Sequence, residues 1–157
     1  MRRALIAAWR QELQTRLDRL VASQGQAREG TRVDGSHRPA NRGERAAVTS
    51  AGYLALGLGQ RAAELAEALR LLEEMGEEPR SRVRVGALME LDDDGESRWV
   101  ALLPGGDATT LHVEGVHVQV LSAQAPLAVA LAGLEEGDCA QLRLPAGVRE
   151  LEVLRLI

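Results

Sequence analysis

The run Leu72-Glu73-Glu74-Met75-Gly76-Glu77-Glu78-Pro79-Arg80-Ser81-Arg82-Val83-Arg84-Val85 is where the sequence changes its repeat. Up to Met75 apolar residues recur every three or four positions, the period of one helical face; beyond Pro79 they alternate with polar residues, the period of a strand. Pro79 cannot continue a helix, because it lacks an N–H and its ring collides with the turn before it. The chain therefore reads as α+β, with a helical part over 1–78 and a strand-rich part over 79–157 joined near 77–82.

Working back from this boundary, Val48, Ala51, Leu54, Leu58, Ala62, Leu65, Leu69, Leu72 and Met75 mark one face of a long helix over about 44–75. Gly52, Gly57 and Gly59 lie in its first half, each costing about 1 kcal/mol against Ala, so that half requires a packing partner. An earlier helix over 2–24 supplies one, with Leu5, Ile6, Trp9, Leu13, Leu17, Leu20 and Val21 on its apolar face. Between them, 25–42 has no periodicity and collects Gly25, Gly30, Gly35, Ser36 and Pro39, a polar connection. The two helices form an antiparallel hairpin with a coiled-coil seam. Trp9 and Tyr53 are expected in that seam or core.

Working forward, Val83, Val85, Leu88 and Leu91 lead into the turn Asp92-Asp93-Asp94-Gly95, and 99–103 leads into Pro104-Gly105-Gly106-Asp107. Strands follow at 110–114, 116–121, 140–144 and 150–156, with one or two turns of helix at 126–131. The expectation is a small antiparallel sheet with one short helix. Cys139 falls in a strand and is expected to be a small buried residue.

Composition limits the function classes. The 157 residues carry 45% hydrophobic side chains but only 2% aromatic ones, so the core is aliphatic. All 19 basic residues are Arg, and the net charge is −4. A protein that coats duplex DNA carries a basic excess, which is missing. A single cysteine excludes an internal disulfide, and no apolar run approaches the ~18 residues of a membrane span. The first helix carries Glu12 and Asp18 where a signal peptide would be unbroken and apolar; a cytoplasmic location is expected.

The segment Leu121-Ser122-Ala123-Gln124-Ala125-Pro126-Leu127-Ala128-Val129-Ala130-Leu131-Ala132-Gly133-Leu134-Glu135-Glu136-Gly137-Asp138, followed by Leu144-Pro145-Ala146-Gly147, resembles the Gre transcript-cleavage and elongation factors. In that family a strand leads to Ser-Pro-Leu-Gly, Ala-Leu, Gly and then Gly-Asp. Upstream, Pro39-Ala40-Asn41, Glu44, Ala51-Gly52-Tyr53-Leu54-Ala55 and Gly59-Gln60-Arg61 are similar to a variant group of Gre-like proteins. The resemblance implies an FKBP-like second domain that docks on the secondary-channel rim of bacterial RNA polymerase. It also implies a helical hairpin that enters the channel, and a factor that is not itself an enzyme. Gln124, Ala125, Pro126 and Leu127 match the family's polymerase-binding loop, with Ala125 in place of the usual Ser.

In the family, carboxylates at the hairpin tip help hold a Mg²⁺ shared with the polymerase active site; no cofactor is expected on the chain alone. Mg²⁺ requires hard oxygen ligands, and here Asp34 and Glu44 are the candidates, with Glu29 further back. Ala40 replaces an acid. Arg28, Arg32, Arg38, Arg42 and Arg45 outnumber Glu29, Asp34 and Glu44, so the tip is net positive and repels a cation. This favours channel occupancy over cleavage stimulation. Arg38, Arg42 and Arg45 are candidate contacts to nucleic acid or acidic surroundings, with a solvated loop as the plain alternative; Asp34-Gly35 also reads as a turn, and Glu44 as a favourable charge at a helix start.

Other signals are weaker. His112-Val113-Glu114-Gly115-Val116-His117 offers metal-capable groups on an expected hairpin, where exposed turn residues are the plainer reading. Asp92-Asp93-Asp94-Gly95-Glu96 lacks calcium-loop spacing. Two other functions remain open: an FKBP-like peptide-binding or prolyl-isomerase module, which the scarcity of aromatic walls disfavours, and a self-associating helical adaptor. The oligomeric expectation is a monomer, with a dimer through the hairpin as the alternative.

Overall fold

In the computed structural model, residues 1–29, 42–76 and 78–157 are described. The elements are α1 (Arg2–Glu29), α2 (Arg42–Glu74), β1 (Leu88–Asp93), β2 (Glu96–Leu102), β3 (Thr109–Val113), β4 (Val116–Leu121), α3 (Pro126–Leu131), β5 (Cys139–Leu144) and β6 (Gly147–Leu156). Two helices, a β-sheet and one short helix thus follow in the expected order. The described residues form two compact units, one of Met1–Gln11 with Leu69–Ile157 and one of Glu12–Ala68.

In the unit of Glu12–Ala68 the helices pair as an antiparallel hairpin: the Gln24 amide donates to the Ala55 carbonyl at 3.2 Å, so late residues of α1 meet the middle of α2. The inward positions of α2 are Val48, Ala51, Ala55, Leu58, Ala62 and Leu65, alternating three and four apart. That is a heptad seam, the repeat of a left-handed coiled coil. Leu54, expected inside, is 57% exposed, and Tyr53 is 72% exposed. The seam passes one residue later, through Ala55, which turns both side chains outward. Gly59 lies against Gln24: a Cβ there would stand 2.4 Å from its amide nitrogen, so a larger residue would displace that side chain.

In the other unit the sheet order among the described residues is β3-β4-β2-β1-β6-β5. All neighbours are antiparallel except β2 and β4, which run parallel with Trp99 opposite Val118 and Leu102 opposite Leu121. The sheet is therefore mixed, where strand alternation had suggested antiparallel pairing throughout. The reason lies in the connection after β2. It reverses the chain but carries β3 one strand position too far, and β4, folding back from β3, fills the gap parallel to β2. Asp94-Gly95 and Glu114-Gly115 make the two-residue hairpin turns, with φ of 55° and 90°, and 49° and 85°. Positive φ at both central residues gives the turn whose twist matches that of the strands.

One face of the sheet packs under α3, with Met89, Leu91, Val100, Leu102, Leu121, Leu142, Leu151 and Val153 joined by Leu127, Ala128 and Leu131. On the opposite face Leu88, Ala101, Val113, Val118 and Val120 are buried too, toward the base of the helices. There the fully buried Trp9 donates its indole N–H to the Pro104 carbonyl at 2.9 Å. Arg2, also buried, donates to the carbonyls of Gly76 (2.9 Å) and Gly86 (3.2 Å). Its guanidinium thereby ties the start of α1, the chain just beyond α2 and the approach to β1 into one body.

The strand expected from Val83 begins only at Leu88. Val83 instead exchanges backbone bonds with Gly133 and Leu134, and the chain turns at Gly86, whose φ is +93°. Cys139, expected to be buried, is exposed: β5 is an edge strand, and Cys139 pairs with Glu152 on a polar part of the sheet.

Candidate functional site

The connection from β4 through α3 is built from small and apolar residues. Between Glu114 and Glu135 the sequence has no acidic residue and no arginine. β4 ends at the buried Leu121, and 122–125 form a turn closed by the Ala125 N–H donating to the Ser122 carbonyl at 3.2 Å. Ala125 occupies the N-cap of α3 with extended backbone (φ −60°, ψ 138°), and Pro126 follows at the first helical turn. Pro suits that place, since its missing N–H would have no helical partner. Ala125 has no oxygen with which to cap the free N–H groups, and no side-chain cap is made.

Leu127 and Leu131, one turn apart, anchor the helix in the core. Of the four loop residues singled out in the sequence, Leu127 is therefore committed to packing. Gln124 and Pro126 are exposed and Ala125 is half-buried. Ala123 and Val129, which the sequence reading did not single out, complete the surface; Val129 is 61% exposed. Helical geometry held the signal for Val129. If Leu127 and Leu131 face inward, the residue midway between them faces out. The outcome is an uncharged ridge of Ala123, Gln124, Pro126 and Val129.

The ridge is braced from beside. Gly106, in the connection after β2, lies so close to the end of β4 that a Cβ would be 2.2 Å from the Leu121 carbonyl carbon and 2.6 Å from the Ser122 nitrogen. The Leu103 N–H donates to the Leu121 carbonyl at 3.1 Å, and the Ala108 N–H to that of Val120 at 2.9 Å. Two adjoining loops are thus held as one edge of the domain. Behind α3, Gly133 (φ +82°) and Gly137 (φ +89°) turn the chain toward β5. There the Asp138 carboxylate accepts the Glu135 N–H at 2.8 Å and closes the Gly-Asp turn.

Of the candidate tip residues, Asp34 and Arg38 lie outside the described residues, as does the side chain of Glu44. Arg42 and Arg45 are exposed on the first turns of α2, and Arg28 and Glu29 are exposed at the end of α1. Further along the hairpin an open groove of about 850 Å³ is lined by Gln24, Arg28, Gly52, Tyr53, Ala55 and Gly59, among others. His112 and His117 face one another across the β3–β4 hairpin. No group of three or more His, Cys, Asp or Glu side chains converges as a metal site among the described residues, and no described helix is long and apolar enough to cross a membrane.

No family model matches the chain, and no curated protein matches its sequence. Among solved structures it is similar to GreA factor homolog 1 (Gfh1) of Thermus thermophilus, at 20% identity and a TM-score of 0.37 over 94% of both chains. It is likewise similar to Gfh1 of Thermus aquaticus, at 20% identity and a TM-score of 0.40 over 93% of this chain and 92% of that one. A third structure, of the transcription factor Gfh1, is 21% identical with a TM-score of 0.40, over 94% of this chain and 92% of the other.

Proposed function

We propose that this chain is a transcription factor that binds bacterial RNA polymerase, docking through the ridge of Ala123, Gln124, Pro126 and Val129 and presenting its helical hairpin to the secondary channel. The observation that carries the reading is the segment 121–138. Its strand, turn, Pro-started helix and Gly-Asp turn fall where the Gre-like pattern requires them, and its surface is uncharged and braced. A rigid patch with little charge loses little order on docking.

In this reading the factor is not an enzyme and occupies the channel without supplying strong metal ligands. Holding a Mg²⁺ shared with the polymerase active site would fall to Asp34 and Glu44. Arg28, Arg42 and Arg45, exposed on the flanking helix ends, work against a cation there. The reading predicts slower nucleotide addition by stalled elongation complexes and intact transcripts in the presence of Mg²⁺. Shortened transcripts that depend on Asp34 and Glu44 would instead establish cleavage stimulation. Val129→Glu, which places a charge on the ridge, should weaken binding to core polymerase by about tenfold or more. Unchanged binding by that variant would remove the ridge from the interface.

A second reading, self-association through the hairpin, is favoured by the exposed Tyr53, Leu54 and Leu56. Size-exclusion chromatography with light scattering separates the two: a dimer lost in Tyr53→Glu supports self-association, and a monomer at all concentrations excludes it.

A further inference from the structure

The β3–β4 hairpin holds two imidazoles in an arrangement that neither packing nor the proposed docking uses. Glu114-Gly115 forms a two-residue turn, so Val113 and Val116 close the hairpin, and the next pair outward is His112 opposite His117. In such a hairpin the closing pair is hydrogen-bonded and the next is not; non-hydrogen-bonded pairs hold their side chains closest. Both rings are exposed, with centroids 4.9 Å apart and planes inclined by 46°.

That spacing fits a shared ion. A metal about 2.0–2.1 Å from a ligating nitrogen lies roughly 3.2 Å from the ring centre, so two rings meeting it at roughly 90–110° stand roughly 4.5–5.2 Å apart. Strong stacking would call for parallel rings, and these are tilted. Charge also permits the site. The hairpin has no arginine from Thr109 to Leu121, and its one charged residue, Glu114, is balanced by the N-terminal ammonium of Met1 at 2.9 Å.

We propose that His112 and His117 form a surface site for a divalent transition-metal ion of the kind imidazole prefers, such as Zn²⁺ or Ni²⁺. Two ring nitrogens bind the metal, and water completes its coordination. The edge hairpin is preorganised by its turn, so the second imidazole binds at high effective concentration once the first has engaged. Mg²⁺ and Ca²⁺, which select oxygen ligands, are excluded by the same chemistry.

The test is titration of the full chain with NiCl₂ and with ZnCl₂, in a His37→Gln background that removes the third histidine. Calorimetry gives the affinity, and the imidazole C–H resonances during the Zn²⁺ titration give the location. Expected is one saturable site that moves the resonances of both rings and is weakened about a hundredfold by His112→Gln or His117→Gln alone. MgCl₂ should leave those resonances in place. Both substitutions lie on an exposed surface, and circular dichroism of each variant checks that the fold is retained. Absence of binding into the millimolar range, or affinity that survives either substitution, would overturn the site. Because the polymerase assays use other residues, failure here leaves the docking proposal standing, and the reverse.

Discussion

At Asp93 a carboxylate is taken almost wholly out of water, 2% exposed, at the end of β1. It lies between two guanidinium groups, Arg98 on β2 and Arg149 on β6, the latter 2.7 Å away. A buried ion pair is weak evidence of net stability, but removing one partner leaves the others uncompensated. Here Asp93→Asn removes the carboxylate that Arg98 and Arg149 share, leaving only Asp94, 3.7 Å from Arg149, as an opposite charge. Because both arginines are about a third exposed, the loss should fall below the fully buried case, at about 2 kcal/mol, read as a lowered urea midpoint. Gly106 makes a different demand, for space alone. Its missing Cβ would meet the backbone of Leu121 and Ser122, which cannot rotate aside. Gly106→Ala should cost about 1–3 kcal/mol and shift the amide resonances of 121–125. At Gly59 the corresponding atom meets only the end of the flexible Gln24 side chain. Gly59→Ala can therefore be accommodated by breaking the Gln24 bond to Ala55, and it also gains helix propensity. A single melting experiment on both variants would rank them.

The elements differ in how plainly the sequence announces them. Helix α3 was read at its observed bounds because three constraints agree: Pro126 suits a first turn, Leu127 and Leu131 are one turn apart, and Gly133 can turn the chain. Helix α2 is legible as an element, but apolar spacing alone puts Leu54 on the inward face, where the heptad instead passes through Ala55. The start of β1 was misplaced for a related reason. Val83 and Val85 look like alternation, yet only Val83 is buried, and the chain turns at Gly86. Strand pairing was the least legible. Alternation shows which face a residue occupies and says nothing of its neighbour, so the parallel β2–β4 pair was invisible. At 124–127 the sequence announces the turn and the Pro-started helix that the structure shows. Separating the packed Leu127 from the exposed Val129 needed the helix's orientation.

Two predictions belong to the elements. Ala125→Ser supplies the missing oxygen at the N-cap of α3 and should stabilise the domain by about 1 kcal/mol, seen as a higher melting temperature. On α2, Leu72→Ala, at a fully buried position, should cost about 2–5 kcal/mol. Leu54→Ala on the outward face should cost only about 0.5 kcal/mol; comparable losses at both positions would contradict the heptad assignment.

For the molecule as a whole, the division into Met1–Gln11 with Leu69–Ile157 and Glu12–Ala68 crosses both long helices. The ends of the hairpin carry the buried Trp9 and Leu72 and are fixed by the Trp9 and Arg2 bonds, while the rest of it has only the narrow seam. Local opening follows local burial. Hydrogen exchange should therefore find 69–72 protected to nearly the same degree as β1 and β4, with 45–60 exchanging much faster. Uniform protection along α2 would show that the hairpin opens only with the whole protein.

The place of β6 bears on how the protein is made. It lies between β1 and β5, and its partner β1 precedes it by about sixty residues of chain that include the four other strands. During synthesis the β1–β2 and β3–β4 hairpins can close locally as they leave the ribosome, but one edge of β1 stays bare until β6 emerges. Non-local pairing is slow, and an open edge invites other chains. The interval before β6 arrives is thus the time at which nascent chains are most exposed to mispairing, and the sheet's completion is timed by the last strand to be translated.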